Sequence, residues 1–235
     1  ETTASNRYHK PGVAGNALFF TAEYQSYGVI DNSRMTEDID TLYLKVYVKS
    51  QSSKMQVIVG NKVDSQKSGY TLMRRAGKWL FQYGDGQKSY RAEATIKAKT
   101  SDWICLEVSF NRGQVRILEN GQEILNSDFP GKVIAASPND LILGNYPSRN
   151  KKVYAFEGGL DELVIANSPE TAAKYAAPVK MDVKTTLALC EPVDGYEKHF
   201  GGRKTLHSFA DYPVPATFLL GFSDKTRSPV LAITV

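Results

Sequence analysis

The chain has 235 residues, 42% of them hydrophobic and 23% charged, with 29 Lys and Arg against 25 Asp and Glu, 18 Gly, 10 Pro and 2 Cys. That balance is globular, and it excludes wholesale disorder, collagen-like repetition, a disulfide-stapled scaffold and a four-cysteine zinc site. The net charge of +4 comes from basic residues interleaved with carboxylates, so nucleic acid is not an expected partner; the longest mostly apolar run, 216–222, falls far short of the roughly 20 residues that cross a bilayer, so membrane insertion is not expected either.

Residues 1–6 are polar and lack the basic and then apolar segments of a signal peptide, as a mature exported chain also would. From residue 42 a period of two dominates. Leu42, Leu44, Val46 and Val48 alternate with Tyr43, Lys45, Tyr47 and Lys49, the pattern of a half-buried strand. Short apolar runs follow at 55–59 and 70–73. Trp79, Phe81 and Tyr83 share one face of the next strand, which stops at Gly84-Asp85-Gly86 and reads as an inward stripe of a sandwich. Strands are expected at 103–110 and 114–118, joined by Asn111-Arg112-Gly113, and Asn120-Gly121 turns the chain into 122–125. Segments 141–143 and 160–165 complete the series. The one helix expected is 168–175, where Ser168 can cap, Pro169 suits the first position and Glu170 the first turn. After Ala176-Ala177-Pro178 the texture changes, and Val179, Met181 and Val183 restart a strand pattern. The final run, 230–235, reads as an edge strand or as a cut from a longer protein.

These elements predict an all-β protein: a two-sheet antiparallel jelly-roll sandwich over 1–177, with a small carboxy-terminal β annex over 178–235. The order of its pieces resembles a laminin-G-like domain of the concanavalin A-like lectin/glucanase superfamily, over about residues 12–175. The resemblance rests on Gly15 to Phe20, the strand at 42–48, the stretch W-x-x-L-E-V-S-F-N-x-G-x-V-R-I-L-x-N-G at 103–121, and G-G-L-D-E-L-V-I at 158–165 before the short helix. It implies binding of glycans or protein surfaces, mostly in extracellular proteins. It also implies a structural Ca²⁺ with Asp161 as the side-chain ligand, the alternative being that Asp161 caps a turn. Trp103 takes the position of a buried aromatic in that family.

Catalytic patterns are sparse. The fold's glycosidases carry carboxylates at alternate positions of one strand, because period-two spacing delivers them to one face. Asp38 and Asp40 share that spacing, but Leu42 stands where a third acid belongs, so these acids read as a solvated turn. His199, His207, Cys190 and Asp194 match no metal-ligand spacing. Cys105 reads as a small core residue, with a Cys105–Cys190 disulfide left open for an exported chain. No enzyme is expected.

Sugar sites combine aromatic rings, which stack on C–H faces, with polar groups that bind hydroxyls. The richest such loop offers Asn145, Tyr146, Arg149 and Asn150; a second group is Tyr83 and Tyr90 beside Asp85. The expectation is a non-catalytic, lectin-like carbohydrate-binding module of a larger secreted, periplasmic or cell-surface protein, its partners a glycan or cell-surface polysaccharide and the parent's other domains. The alternatives are a protein-interaction domain without a sugar site, or a glycoside hydrolase of the same fold.

Overall fold

A computed structural model describes residues 9–13, 16–22, 27–30, 33–63, 65–146, 154–176, 217–222 and 229–234. The strands in chain order are β1 (His9–Pro11), β2 (Asn16–Phe20), β3 (Gly28–Ile30), β4 (Thr41–Ser50), β5 (Gln56–Gly60), β6 (Tyr70–Arg75), β7 (Lys78–Gly84) and β8 (Ser89–Thr95). They continue with β9 (Ile104–Asn111), β10 (Gln114–Glu119), β11 (Gln122–Asp128), β12 (Leu141–Leu143) and β13 (Gly158–Ala166), then helix α1 (Pro169–Ala176), β14 (Thr217–Phe222) and β15 (Pro229–Thr234). The architecture is the expected all-β sandwich of two antiparallel sheets. The large sheet runs β1-β2-β13-β4-β9-β10-β11, with β15 also on β13 and β14 on β15; the small sheet runs β3-β12-β5-β6-β7-β8.

The alternation read from the sequence decides which face of each strand is inside. Leu42, Leu44, Val46 and Val48 of β4, Leu106, Val108 and Phe110 of β9, and Trp79, Phe81 and Tyr83 of β7 fill one interior between the sheets. Each such side chain contributes about 1.5–3 kcal/mol through the apolar surface it removes from water. The expected hairpin turns form at Arg112-Gly113 and Asn120-Gly121, with positive φ at both central residues of each, the geometry that matches strand twist. Ser168 caps α1 by accepting the Thr171 N–H at 3.1 Å.

Two features depart from the expectation. Strand β8 exists: Ala92 and Ala94 face the core while Arg91 and Glu93 face out. Trp103 and Cys105 are not core residues. Because Ile104, Leu106 and Val108 point inward, their odd-numbered neighbours lie on the outer face of the large sheet, and both are half-buried there. The run read as an edge strand forms β15, which hydrogen-bonds to β13 as part of the large sheet, through Leu163↔Ile233 to Ile165↔Leu231. The annex strand expected at Val179, Met181 and Val183 lies outside the described residues, as do Cys190, His199 and His207.

On β13, Gly158 to Leu160 pair with β2, and Leu163 to Ile165 pair with β15 on the same edge. The change of partner falls at a bulge, where the register with β4 slips between Asp161 and Val164 and Glu162 takes φ 48°. Helix α1 then folds onto the outer face of the large sheet, where Ala172 packs with Tyr43, Val164 and Ala166.

Candidate functional site

Two of the expected ligand residues are buried by the fold. Tyr146 is 4% exposed and lies against Val57, Met73 and Leu80 on the outer face of the small sheet, its ring 5.2 Å from that of Tyr154. Asn145 is also buried, and its Oδ1 accepts the Tyr146 N–H at 2.8 Å. The apolar outer face of β5, β6 and β7 needs a cover, and this segment supplies it. Arg149 and Asn150 lie outside the described residues.

The second expected group is corrected in part. Tyr83 is fully buried between the sheets, and its hydroxyl donates to the Gly131 carbonyl at 2.8 Å. Burial pushes its phenol pKa up, aided by the nearby Tyr90 and the Asp85 charge. Its ring presents no face to a ligand. Tyr90 is half-buried, stacks on Tyr83 at 5.1 Å and donates to Asp85 Oδ2 at 2.8 Å. Asp85 Oδ1 meanwhile takes the Gln87 and Lys88 N–H groups, so the acid serves the turn. Asp38 likewise accepts the Ala136 N–H at 2.8 Å, and Asp40 pairs with Arg112 at 3.1 Å. Both tie loops together.

An aromatic and polar face does form elsewhere, on the outside of the large sheet. Register sets it out in rows. In one row Phe19 of β2, Gly159 of β13 and Lys49 of β4 stand opposite one another, with Trp103 just before β9 alongside. Gly159 has no side chain, so Trp103 and Phe19 close over it and meet edge to face at 6.0 Å. A Cβ at Gly159 would lie 2.5 Å from Trp103 Cη2 and 2.9 Å from Phe19 Cζ. The Lys49 ammonium lies over the Trp103 ring at 6.0 Å, and that of Lys10 lies over Phe19 at 5.0 Å.

The next row brings Asp161, Tyr47 and Cys105 together, and the one after it Val164, Lys45 and Glu107. The Lys45 ammonium sits 5.8 Å from the Tyr47 ring, and Tyr43 donates to Glu107 Oε2 at 2.5 Å. Burial, the Glu107 hydrogen bond and the Glu107 charge all push the Tyr43 phenol up. Burial likewise raises the Cys105 thiol, so it stays a thiol. Phe19, Tyr47, Trp103, Lys45, Lys49 and Glu107 are all half-buried, accessible on one side. Sequence reasoning passed over this surface, although the alternating Tyr43, Lys45, Tyr47 and Lys49 already marked β4's outer face.

Asp161 is 3% exposed. Its Oδ2 accepts the Val13 N–H at 2.7 Å and its Oδ1 the Glu162 N–H at 2.9 Å. It therefore holds the β1–β2 turn against the β13 bulge. Calcium takes six to eight oxygens. Among the described residues no group of three or more His, Cys, Asp or Glu side chains surrounds a common point.

Beside it, burial raises the Glu162 carboxyl pKa and the Asp161 charge adds to this, against the opposing Lys45. A carboxyl raised in the folded state is harder to ionise there than in the unfolded chain. Stability is therefore lost as pH rises from the ordinary carboxylate range to the folded value, and stays lost above it. Glu162→Gln is expected to melt above the parent at pH 8, the gap closing by pH 3.5; a gap unchanged with pH would trace the gain to the φ 48° bulge instead.

A family profile described as the concanavalin A-like lectin/glucanases superfamily matches residues 22–174. Among solved structures, the mouse laminin α1 chain, domains LG4–5, is similar at a TM-score of 0.51 and 15% identity, over 63% of this chain and 40% of that one. The enzymatically active domain of tailspike protein 2 from bacteriophage CBA120 is similar at 0.50 and 14%, over 69% and 28%. The CBM40 of a Ruminococcus gnavus IT-sialidase aligns at 0.46 and 15%, over 64% and 98%. Identities this low establish the sandwich fold alone, and this chain spans less than half of the laminin and tailspike chains. No curated protein sequence matches.

Proposed function

This chain belongs to the concanavalin A-like lectin/glucanase superfamily, and on that premise we propose that it is a non-catalytic carbohydrate-binding module of a larger exported or cell-surface protein. The reading is carried by one observation: Phe19 and Trp103 are paired on an accessible face of the large sheet, with Lys49 beside them and Tyr47, Lys45 and Glu107 in the next rows. Rings stack on the C–H faces of a sugar, and the ammonium, phenol and carboxylate groups exchange hydrogen bonds with its hydroxyls. Residues on adjacent strands hold this arrangement more firmly than a loop would. Among the described residues no helix is long and apolar enough to cross a membrane.

The experiment is a glycan array probed with the purified chain, with calcium and again with a chelator. Trp103→Ala is expected to weaken the strongest interaction about tenfold or more, since removing one ring that carries a contact costs on this scale. Because Trp103 is half-buried on the surface, the variant should melt close to the parent. A folded chain silent across the array would replace this reading with a protein-binding role. Binding untouched by Trp103→Ala would move the site elsewhere, and binding lost on chelation would show that a cation takes part.

A further inference from the structure

The two rings of the platform are not bare. Lys10 lies over Phe19 and Lys49 over Trp103, one ammonium per ring. Neither lysine has a carboxylate within ion-pair distance among the described residues, whose ion pairs all lie elsewhere. The row that holds the rings contains Phe19, Gly159, Lys49 and Trp103 and no acid. The neighbouring rows differ. There Lys45 stands opposite Glu107 and near Glu162, and the Asp161 carboxylate stands opposite Tyr47. The ring row thus carries two ammoniums and no carboxylate of its own.

We infer that the platform selects anionic sugars, those whose rings bear a carboxylate or a sulfate ester, by exchanging each lysine from an aromatic face to the ligand's anion. This rests on the carbohydrate-binding reading above. A neutral sugar that stacks on Trp103 must push the Lys49 ammonium off the ring and offers it only hydroxyls in return. An anionic sugar draws the same ammonium away and pairs with it beside the stacked ring. The attraction given up at an exposed site corresponds to about two- to fivefold in affinity per ring. That loss falls on neutral ligands and is offset for anionic ones. The lysines therefore work twice, as covers against neutral sugars and as partners for acidic ones.

The test is titration of the chain with oligogalacturonate and with sulfated dextran, against cellopentaose and unmodified dextran, at 50 and 300 mM salt. The acidic probes are expected to bind more tightly, with affinity falling as salt rises; comparison of the two distinguishes uronate from sulfate recognition. The Lys10→Ala, Lys49→Ala double variant should lose about tenfold on the preferred acidic probe and gain severalfold on the neutral ones, while Trp103→Ala loses both. The gain on neutral sugars is the sign that simple charge attraction does not produce. Equal, salt-insensitive binding of neutral and acidic probes would overturn this inference and leave the carbohydrate reading standing. No binding to any probe by the folded chain would overturn both. Tight binding of single-stranded DNA insensitive to Trp103→Ala would reduce the lysines to a general polyanion surface and overturn it as well.

Discussion

Glu119→Ala is expected to lower the unfolding free energy by about 2 to 4 kcal/mol, because the buried Trp79 indole and two partly buried backbone donors lose their acceptor at once. Glu119 closes β10 and is 4% exposed. Its Oε2 accepts the Trp79 indole N–H at 2.6 Å, across the sandwich from β7 of the small sheet. Its Oε1 accepts the N–H groups of Lys97 at 2.9 Å and Ala98 at 2.6 Å, in the connection between β8 and β9. One carboxylate thus ties the two sheets and a crossing loop together. Alanine leaves the buried indole without a partner and the two partly buried amides to water, and removes side-chain volume from the end of the core. Glu119→Gln should cost less, since its remaining oxygen serves one side while its NH₂ faces donors on the other. Urea denaturation followed by tryptophan fluorescence reads both variants. An alanine variant with the parent's midpoint would show that these hydrogen bonds do not hold the sheets together.

Gly158→Ala is expected to be the most damaging single-methyl change, costing more than about 4 kcal/mol and leaving little folded protein. Gly158 opens β13 between β2 and β4 at φ +146°, a conformation that side chains rarely adopt. A Cβ there would lie 1.9 Å from the Lys49 carbonyl oxygen and 3.0 Å from the Ser50 Cα. Both obstacles are backbone of the paired strand, so the β13–β4 ladder must part. The adjacent Gly159→Ala meets only the ends of the Trp103 and Phe19 side chains, which can swing outward. That variant should fold and melt within a few degrees of the parent while binding sugars weakly, because the ring platform is displaced. Circular dichroism melting separates the two. A Gly158→Ala protein that folds as well as Gly159→Ala would mean that β13 and β4 do not approach as closely as described.

Much of the sandwich was legible in the chain, and the reason is visible strand by strand. Apolar residues at every second position mark a half-buried strand whatever the rest of the protein does, so β4, β7, β9 and β10 stood out. Ser168, Pro169 and Glu170 likewise announced α1, since capping is a local interaction. Strand β8 escaped because its inward residues are Ala92 and Ala94, whose small side chains give a faint alternation. Trp103 was misplaced through the resemblance, which puts a buried aromatic at its position, but the parity set by Ile104 and Leu106 puts it on the opposite face.

The site was less legible, because burial of a loop residue depends on what lies beneath it. Tyr146 has the neighbours of a ligand-binding aromatic in sequence, yet Val57, Met73 and Leu80 make an apolar surface that its ring covers. Tyr83 alternates with turn residues at the end of its strand, yet Phe110, Phe81 and Tyr90 surround its ring. By itself the sequence determined the all-β class, strands β4, β7, β9 and β10, the hairpin turns and the outward face of Lys45, Tyr47 and Lys49, because each depends on alternation or on backbone preferences within a few residues. Only the tertiary structure decided that Phe19, Lys49, Trp103 and Gly159 form one row. Strand order and register bring together residues far apart in the chain, and those pairings arise from packing across the whole sheet, which no local pattern encodes.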